Sequence, residues 1–272
     1  MALIAVLWMV AALGLAAHSL IGSLRGEIRH IGDERAQLAA GAVADGAILL
    51  ALQDLQVNRL TSVNQIRPYR LRYQDSDVDI EVIPLNGWID INNAPESLLQ
   101  ALFQHGGGAP AAQAQQLAQA AKVFREQRGP QGRAQGFEAP EDLLRVPGLD
   151  FDLYVKIERL VTAELSSGGR VNPLAAPEPV LQVLAGGNTA LAGRIAASRS
   201  MAAATTDLTG LSPEHVDSAG SSRVCVCAKV ALPDGRVLHR GWRVVLGAST
   251  VSGLPWRILG REQRLVAASS VL

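Results

Sequence analysis

Cys225 and Cys227 are the residues with the most reactive side chains, and they stand one residue apart in RVCVCAKV. On a strand, alternate residues share a face, so both thiols would point the same way. A bridge across so short a link would be strained, and two thiols fall short of the four ligands of a structural zinc. With two cysteines in 272 residues a disulfide framework is excluded, and packing is the role expected of the pair. The five histidines, His18, His30, His105, His215 and His239, are scattered with no carboxylate or cysteine at a telling spacing. No GxSxG, HExxH or phosphate-loop pattern occurs. The glycines from Gly106 lack a following Lys-Ser/Thr pair and read as a loop. The acids of DSDVDIE lack the glycine and the distant glutamate of a calcium-binding EF-hand loop, and strand alternation accounts for them. Catalytic, cofactor-binding and metal-binding residues are therefore assigned to none, and an enzyme is not expected.

The elements that would carry these residues begin with an apolar rod. Met1 to Leu24 contains no charged residue, and about 20 helical residues cross a hydrocarbon core of roughly 30 Å. A cleaved signal would open on basic residues, which Met1 to Leu7 lacks. The helical pattern continues through Arg25, Glu27, Arg29, Asp33, Glu34 and Arg35, with no proline before Pro68. Leu38, Val43, Ile48, Leu49 and Leu52 are expected to pack this second half on a folded domain. The basic residues following the span would alone hold that domain in the cytoplasm. A basic leader preceding residue 1 would reverse that placement.

Beyond the rod, YRLRYQ and DVDIEVIP alternate with period two, placing Val78, Ile80 and Val82 on one face and Asp77, Asp79 and Glu81 on the other. A three-copy repeat follows: APESLLQAL at Ala94, APEDLLRVP at Ala139 and APEPVLQVL at Ala176. In each, Pro95, Pro140 or Pro177 fixes φ near a helix start, and the neighbouring glutamate suits the positive helix N-terminus. Asn92, Asn93 and Asn172 are placed to cap or turn the entering chain, and Pro147 and Gly148 to turn between two helices. The unit is a helical hairpin. Between the first two copies an alanine- and glutamine-rich helix is expected, and after Arg223 two strands joined by Asp234-Gly235, with LPWRILGREQ as a further strand. Total charge is balanced, 25 basic against 25 acidic residues, and between Trp88 and Ser200 ten basic residues meet eleven acidic ones. Hairpins that bind DNA need a cationic surplus. Nucleic acid is therefore not an expected partner.

ALIAVLW at Ala2 to Trp8 resembles the start of the mature protein K family of minor pseudopilins of type II secretion. Most pilin-like proteins carry a glutamate at the fifth position. Ala5 stands here, which matches the protein K pattern and implies a subunit with nothing above it. The hairpins also resemble the DNA-binding domain of competence proteins, which leaves a membrane-anchored helix-hairpin-helix DNA-binding protein as the alternative. The first resemblance implies an α+β fold: a long pilin-like N-terminal helix on an antiparallel sheet, with an inserted all-α helix-hairpin-helix-like domain. It divides the chain into a transmembrane helix (1–24), the helix continuation and first strand (25–87), the helical insertion (88–202) and closing strands (203–272). It further implies packing through Leu3, Ile4, Ala5, Val6, Leu7, Trp8, Val10 and Leu13, and a hairpin motif built on Asn92, Asn93, Ala94, Pro95, Pro140, Pro147, Gly148, Asn172 and Pro177. Other minor pseudopilins, the secretion inner-membrane platform and inner-membrane lipid are the implied partners, and the implied location is single-pass inner membrane with a periplasmic head. Calcium is associated with some family members, without ligands assignable in this sequence.

Overall fold

A computed structural model describes residues 2–128, 136–163, 168–202, 206–247 and 253–267; of the side chains before His30 it describes those of Met9 and Glu27. One helix, α1, runs from Ala2 to Val57, about 84 Å at 1.5 Å per residue. Its end is a left-handed turn: Arg59 has φ 53°, Arg59 N donates to Gln56 O and Leu60 N reaches back to Leu55 O. That is the Schellman arrangement, closed by the leucines at its two ends.

The second half of α1 lies on a five-stranded antiparallel sheet. Its buried face is Ala40, Val43, Ala44, Ala47, Ile48, Ala51, Leu52 and Leu55, the three- and four-residue spacing of one helical stripe. The alanines bring the helix axis close to the strands. Two residues expected on that face, Leu38 and Leu49, are instead 76% and 43% exposed; they lie off the alanine stripe, at its flank, where Leu38 borders a cleft with Asp45, Arg240 and Gln263.

Strands β1 (Arg67–Tyr73) and β2 (Ser76–Pro84) form a hairpin whose turn residues Gln74 and Asp75 both have positive φ, so the segment expected to supply one strand supplies two. Val78, Ile80 and Val82 are buried, while Asp77 and Asp79 face solvent. The sheet resumes far along the chain, with β5 (Arg223–Ala231) pairing directly with β2, Glu81 opposite Cys227. Strand β6 (Val237–Leu246) follows through Asp234-Gly235, with Gly235 at φ 83°, and β7 (Trp256–Val266) closes the sheet. Where the helix crosses, Asp45 accepts hydrogen bonds from Arg240 Nε and Nη2 and from Trp242 Nε1, each 2.9 Å long.

Cys225 and Cys227 correct an expectation: they are joined as a disulfide. Alternate residues on β5 place both sulfurs on the outer sheet face, and the 5.9 Å between their Cα atoms falls within the usual range for a bridge.

Between Pro84 and Arg223 the chain builds a second apolar core, drawn from residues 89–211, while the sheet core draws on 40–82 and 224–256. Its elements are β3 (Ile89–Asp90), α2 (Glu96–Ala101), α3 (Ala111–Glu126), α4 (Phe151–Ile157), β4 (Val161–Thr162), α5 (Glu178–Leu184) and α6 (Thr189–Ala202). Strands β3 and β4 pair in parallel, Ile89 opposite Val161. The glycines expected as an open loop are partly structured: Leu102–Gly106 is a π-helical turn, and Gly107 packs buried against Leu153.

Candidate functional site

The membrane-facing residues named from the sequence, Leu3, Ile4, Ala5, Val6, Leu7, Trp8, Val10 and Leu13, sit on the helical backbone of α1, but their side chains lie outside the described residues. Farther along, His30–Val57 is itself long and apolar enough to cross a membrane, with mean hydropathy 1.5, but 44% of that window is buried. The contacts with the sheet identify this part as a core helix. Ile31, Leu38 and Leu49, seven and eleven residues apart, form an exposed apolar line along one flank of the buried face, and Leu50 is exposed on the other flank.

The hairpin residues are brought together in two matching constructions. Asp90 and Asn172 are buried polar side chains, each four residues ahead of the Ala of an Ala-Pro-Glu copy. Asp90 Oδ1 accepts from Asn92 N at 2.9 Å, and Asn172 Oδ1 from Leu174 N at 3.0 Å, the same local turn. Each turn delivers its chain to a helix, α2 after Pro95 and α5 after Pro177, both prolines being the residue that precedes the first helical turn. The second helix of each pair then returns an arginine to the entry turn. Arg125 Nη1 on α3 donates to Ile91 O at 3.1 Å and Ala94 O at 2.8 Å; Arg199 Nη1 on α6 donates to Pro173 O at 2.9 Å and Ala176 O at 2.5 Å. These carbonyls occupy equivalent places in the two copies, so the repeat includes an arginine clamp absent from the nine-residue template. Gly107 and Gly108 connect one helix pair, Gly186 and Gly187 the other.

Burial pushes the Asp90 carboxyl above its ordinary value, opposed by hydrogen bonds from Asn93 and Asn92 and by Arg125. Asn93 Nδ2 donates to Asp90 Oδ2 at 2.6 Å. Asn92 turns the other way and ties distant loops: its Nδ2 donates to Phe137 O and Ala163 O, and its Oδ1 accepts from Phe137 N. Asn172 Nδ2 similarly reaches Asn64 O at 2.7 Å, tying the insertion to the segment before β1.

The middle copy departs from this plan. Pro140 opens a 3-10 helix, Pro140–Arg145, instead of an α-helix, and Asp142 folds back onto the backbone N–H groups of Glu138 and Ala139. Pro147 and Gly148 make the expected turn, Gly148 with φ 87°. Asp150 then caps α4, its Oδ1 accepting from Leu153 N at 2.8 Å. In a DNA-binding hairpin a phosphate approaches such backbone N–H groups. Here a carboxylate already occupies the cap, with Asp152 beside it in the first turn.

His215 Nε2 lies 2.9 Å from Ser97 Oγ, joining α2 to the chain ahead of β5. Burial lowers the affinity of His215 for a proton, with Glu214 opposing. This pair holds two segments together, and no carboxylate hydrogen-bonds His215 among the described residues. His30 pairs with Glu34 one helical turn away.

No protein family and no curated protein sequence matches the chain. Among solved structures it is similar to a chain of the GspK-GspI-GspJ complex from the enterotoxigenic Escherichia coli type 2 secretion system. The two are 16% identical with a TM-score of 0.53, and the likeness covers 88% of this chain and 99% of that one. The long helix, the antiparallel sheet and the α+β arrangement are thus those of a pseudopilin-like fold.

Proposed function

We propose that this chain is a minor pseudopilin of the protein K kind, a membrane-anchored tip subunit of a type II secretion filament. The observation that carries the reading is α1: a 56-residue helix whose far half is packed on a sheet by an alanine-rich face while Ile31, Leu38, Leu49 and Leu50 stay exposed on its flanks. A soluble domain gains nothing from such an overhang. In a bundle of equivalent helices the exposed residues of the far half leave water, each Å² of apolar surface contributing about 25 cal/mol, while the overhang of residues 2–24 exchanges lipid for helix packing without that gain.

The subunit waits in the inner membrane through residues 1–24 with its head in the periplasm. It then exchanges lipid contacts for contacts with other minor pseudopilins, supported by the inner-membrane platform. The large insertion between β2 and β5 leaves no surface for another subunit above it, and Ala5 in place of a glutamate agrees with a terminal position. The head's work is recognition and packing, not catalysis. The alternative, a hairpin binding DNA, is opposed by Asp150 and Asp152 at the one cap where phosphate would dock.

Deleting residues 1–24 tests the reading. The truncated chain should leave the membrane fraction, fold, and fail to co-purify with pseudopilins that retain the full-length chain. Co-purification equal to full length would overturn the role given to the helix.

A further inference from the structure

We infer that the outer face of the sheet holds a redox-gated site for a thiophilic divalent cation, with Cys225, Cys227 and Glu262 as its protein ligands. The two sulfurs and one Glu262 carboxylate oxygen lie within 4.8 Å of one another, one short adjustment from a shared ion. The register makes this possible: Cys227 on β5 stands opposite Gly241 on β6, which stands opposite Glu262 on β7. A Cβ at Gly241 would come within 2.8 Å of Glu262 Oε1 and 3.3 Å of Cys225 Sγ. The absent side chain is therefore what lets ligands from two outer strands meet across the middle one. Glu262 makes no hydrogen bond or ion pair with another protein group among the described residues, so ordinary surface pairing does not explain its position.

The surroundings suit a metal. The sulfurs open on a cleft of about 310 Å³ between the sheet and the insertion, where the apolar Leu85 and Trp88 meet the charged Glu158, Arg159 and Arg243. Two thiolates and a carboxylate carry three negative charges and a divalent cation leaves one, beside Arg243, which stands opposite Cys225 in register. Two sulfur ligands select zinc-like ions over calcium or magnesium, and three protein ligands leave one tetrahedral position open to the cleft.

The disulfide closes the site. A dithiol reductant opens it: its two S–H groups become an S–S bond, and the protein's S–S bond takes up the two electrons and two protons to become two thiols. The ion then displaces both thiol protons to solvent and bonds the two thiolates and the Glu262 carboxylate. None of this depends on the filament role.

The test uses the full chain in detergent, reduced with a phosphine and desalted without oxygen. Zn²⁺ is titrated against a chromophoric chelator, and Co²⁺ reports sulfur ligation through its near-ultraviolet charge-transfer band. Reduced protein should bind one Zn²⁺ per chain and show the band, and reoxidised protein neither. Cys225→Ser should abolish the band. Glu262→Gln and Gly241→Ala should weaken Zn²⁺ at least about tenfold, with the circular dichroism of the apo chain unchanged. The inference is overturned if reduced and oxidised chains bind Zn²⁺ alike, or if Cys225→Ser keeps the band. Wild-type affinity in Glu262→Gln would remove the carboxylate from the ligand set and overturn the site as stated.

Discussion

The sheet half and the helical insertion solve the same problem by different means. In the sheet half, one face of α1 and the inner faces of five strands meet through aliphatic side chains, and one polar cluster, Asp45 with Arg240 and Trp242, fixes where the helix crosses. The insertion sets two longer helices, α3 of 16 residues and α6 of 14, among short ones, α2 of six residues and α4 and α5 of seven, which are marginal alone. There, side chains repeatedly bind backbone carbonyls and N–H groups to hold each entry turn. Long elements are fixed by periodic apolar contact; short ones need their ends pinned.

Breaking each core separately gives the largest effects. Phe103 is fully buried in the insertion, and Phe103→Ala should cost about 3–5 kcal/mol; Leu52→Ala, under the sheet, about 2–5 kcal/mol. Amide hydrogen exchange is the readout. If the cores are separate cooperative units, the first variant speeds exchange mainly within residues 89–211 and the second mainly in β2, β5 and β6. Equal acceleration of both regions by either variant would merge them into one unit.

The polar pins come next. Arg199→Ala should cost about 1.5–3 kcal/mol, because it leaves two carbonyls without their charged donor, and Arg199→Lys should not fully restore it. Asp45→Ala should cost a similar amount in the sheet half. Thermal unfolding of the pair compares one pin from each region; an Arg199→Ala cost below about 0.5 kcal/mol would remove the pinning argument from the insertion.

Asp90→Asn gives the smallest change and the sharpest one, since it makes the first copy like the third, where Asn172 already stands. At neutral pH the net change should lie within about 1 kcal/mol, one hydrogen bond from Asn93 lost against a buried charge removed. The sign of its pH dependence is fixed by the raised carboxyl. The folded chain holds this proton more tightly than the unfolded one, so the stabilisation is full below the unfolded value of 3.8 and is lost as pH rises through the higher folded value. Denaturant titrations across that window should show wild-type stability falling relative to Asp90→Asn. A rising difference would mean that hydrogen bonding to the carboxylate outweighs its burial.

What the sequence disclosed divides along the same line. The rod, the alternating Val78, Ile80 and Val82, the Asp234-Gly235 turn and the Pro147-Gly148 turn are local signals and appear in the fold where the pattern put them. The Asp90 and Asn172 positions were half visible through the repeated Ala-Pro-Glu. The arginine clamps were not, because Arg125 and Arg199 stand 31 and 23 residues beyond the alanines they bind, outside the repeated template. An arginine late in the second helix of each pair is the signal that finds them. Period-two spacing put both cysteines on one face, but only the strand register reveals Glu262 across Gly241. Leu38 and Leu49 differ from Ile48 and Leu52 in helical angle and not in character, so hydrophobicity alone does not say which of them faces the sheet.

The exposed stripe of α1 gives the most direct test of the assembly claim. A photo-crosslinking amino acid at Leu38 or Leu49, in the full chain co-expressed with its neighbouring pilin-like subunits, should yield adducts with those subunits, while the same group at exposed Asp77 on the sheet edge hairpin should not. Adducts from Asp77 with none from Leu38 and Leu49 would contradict a filament built through this helix.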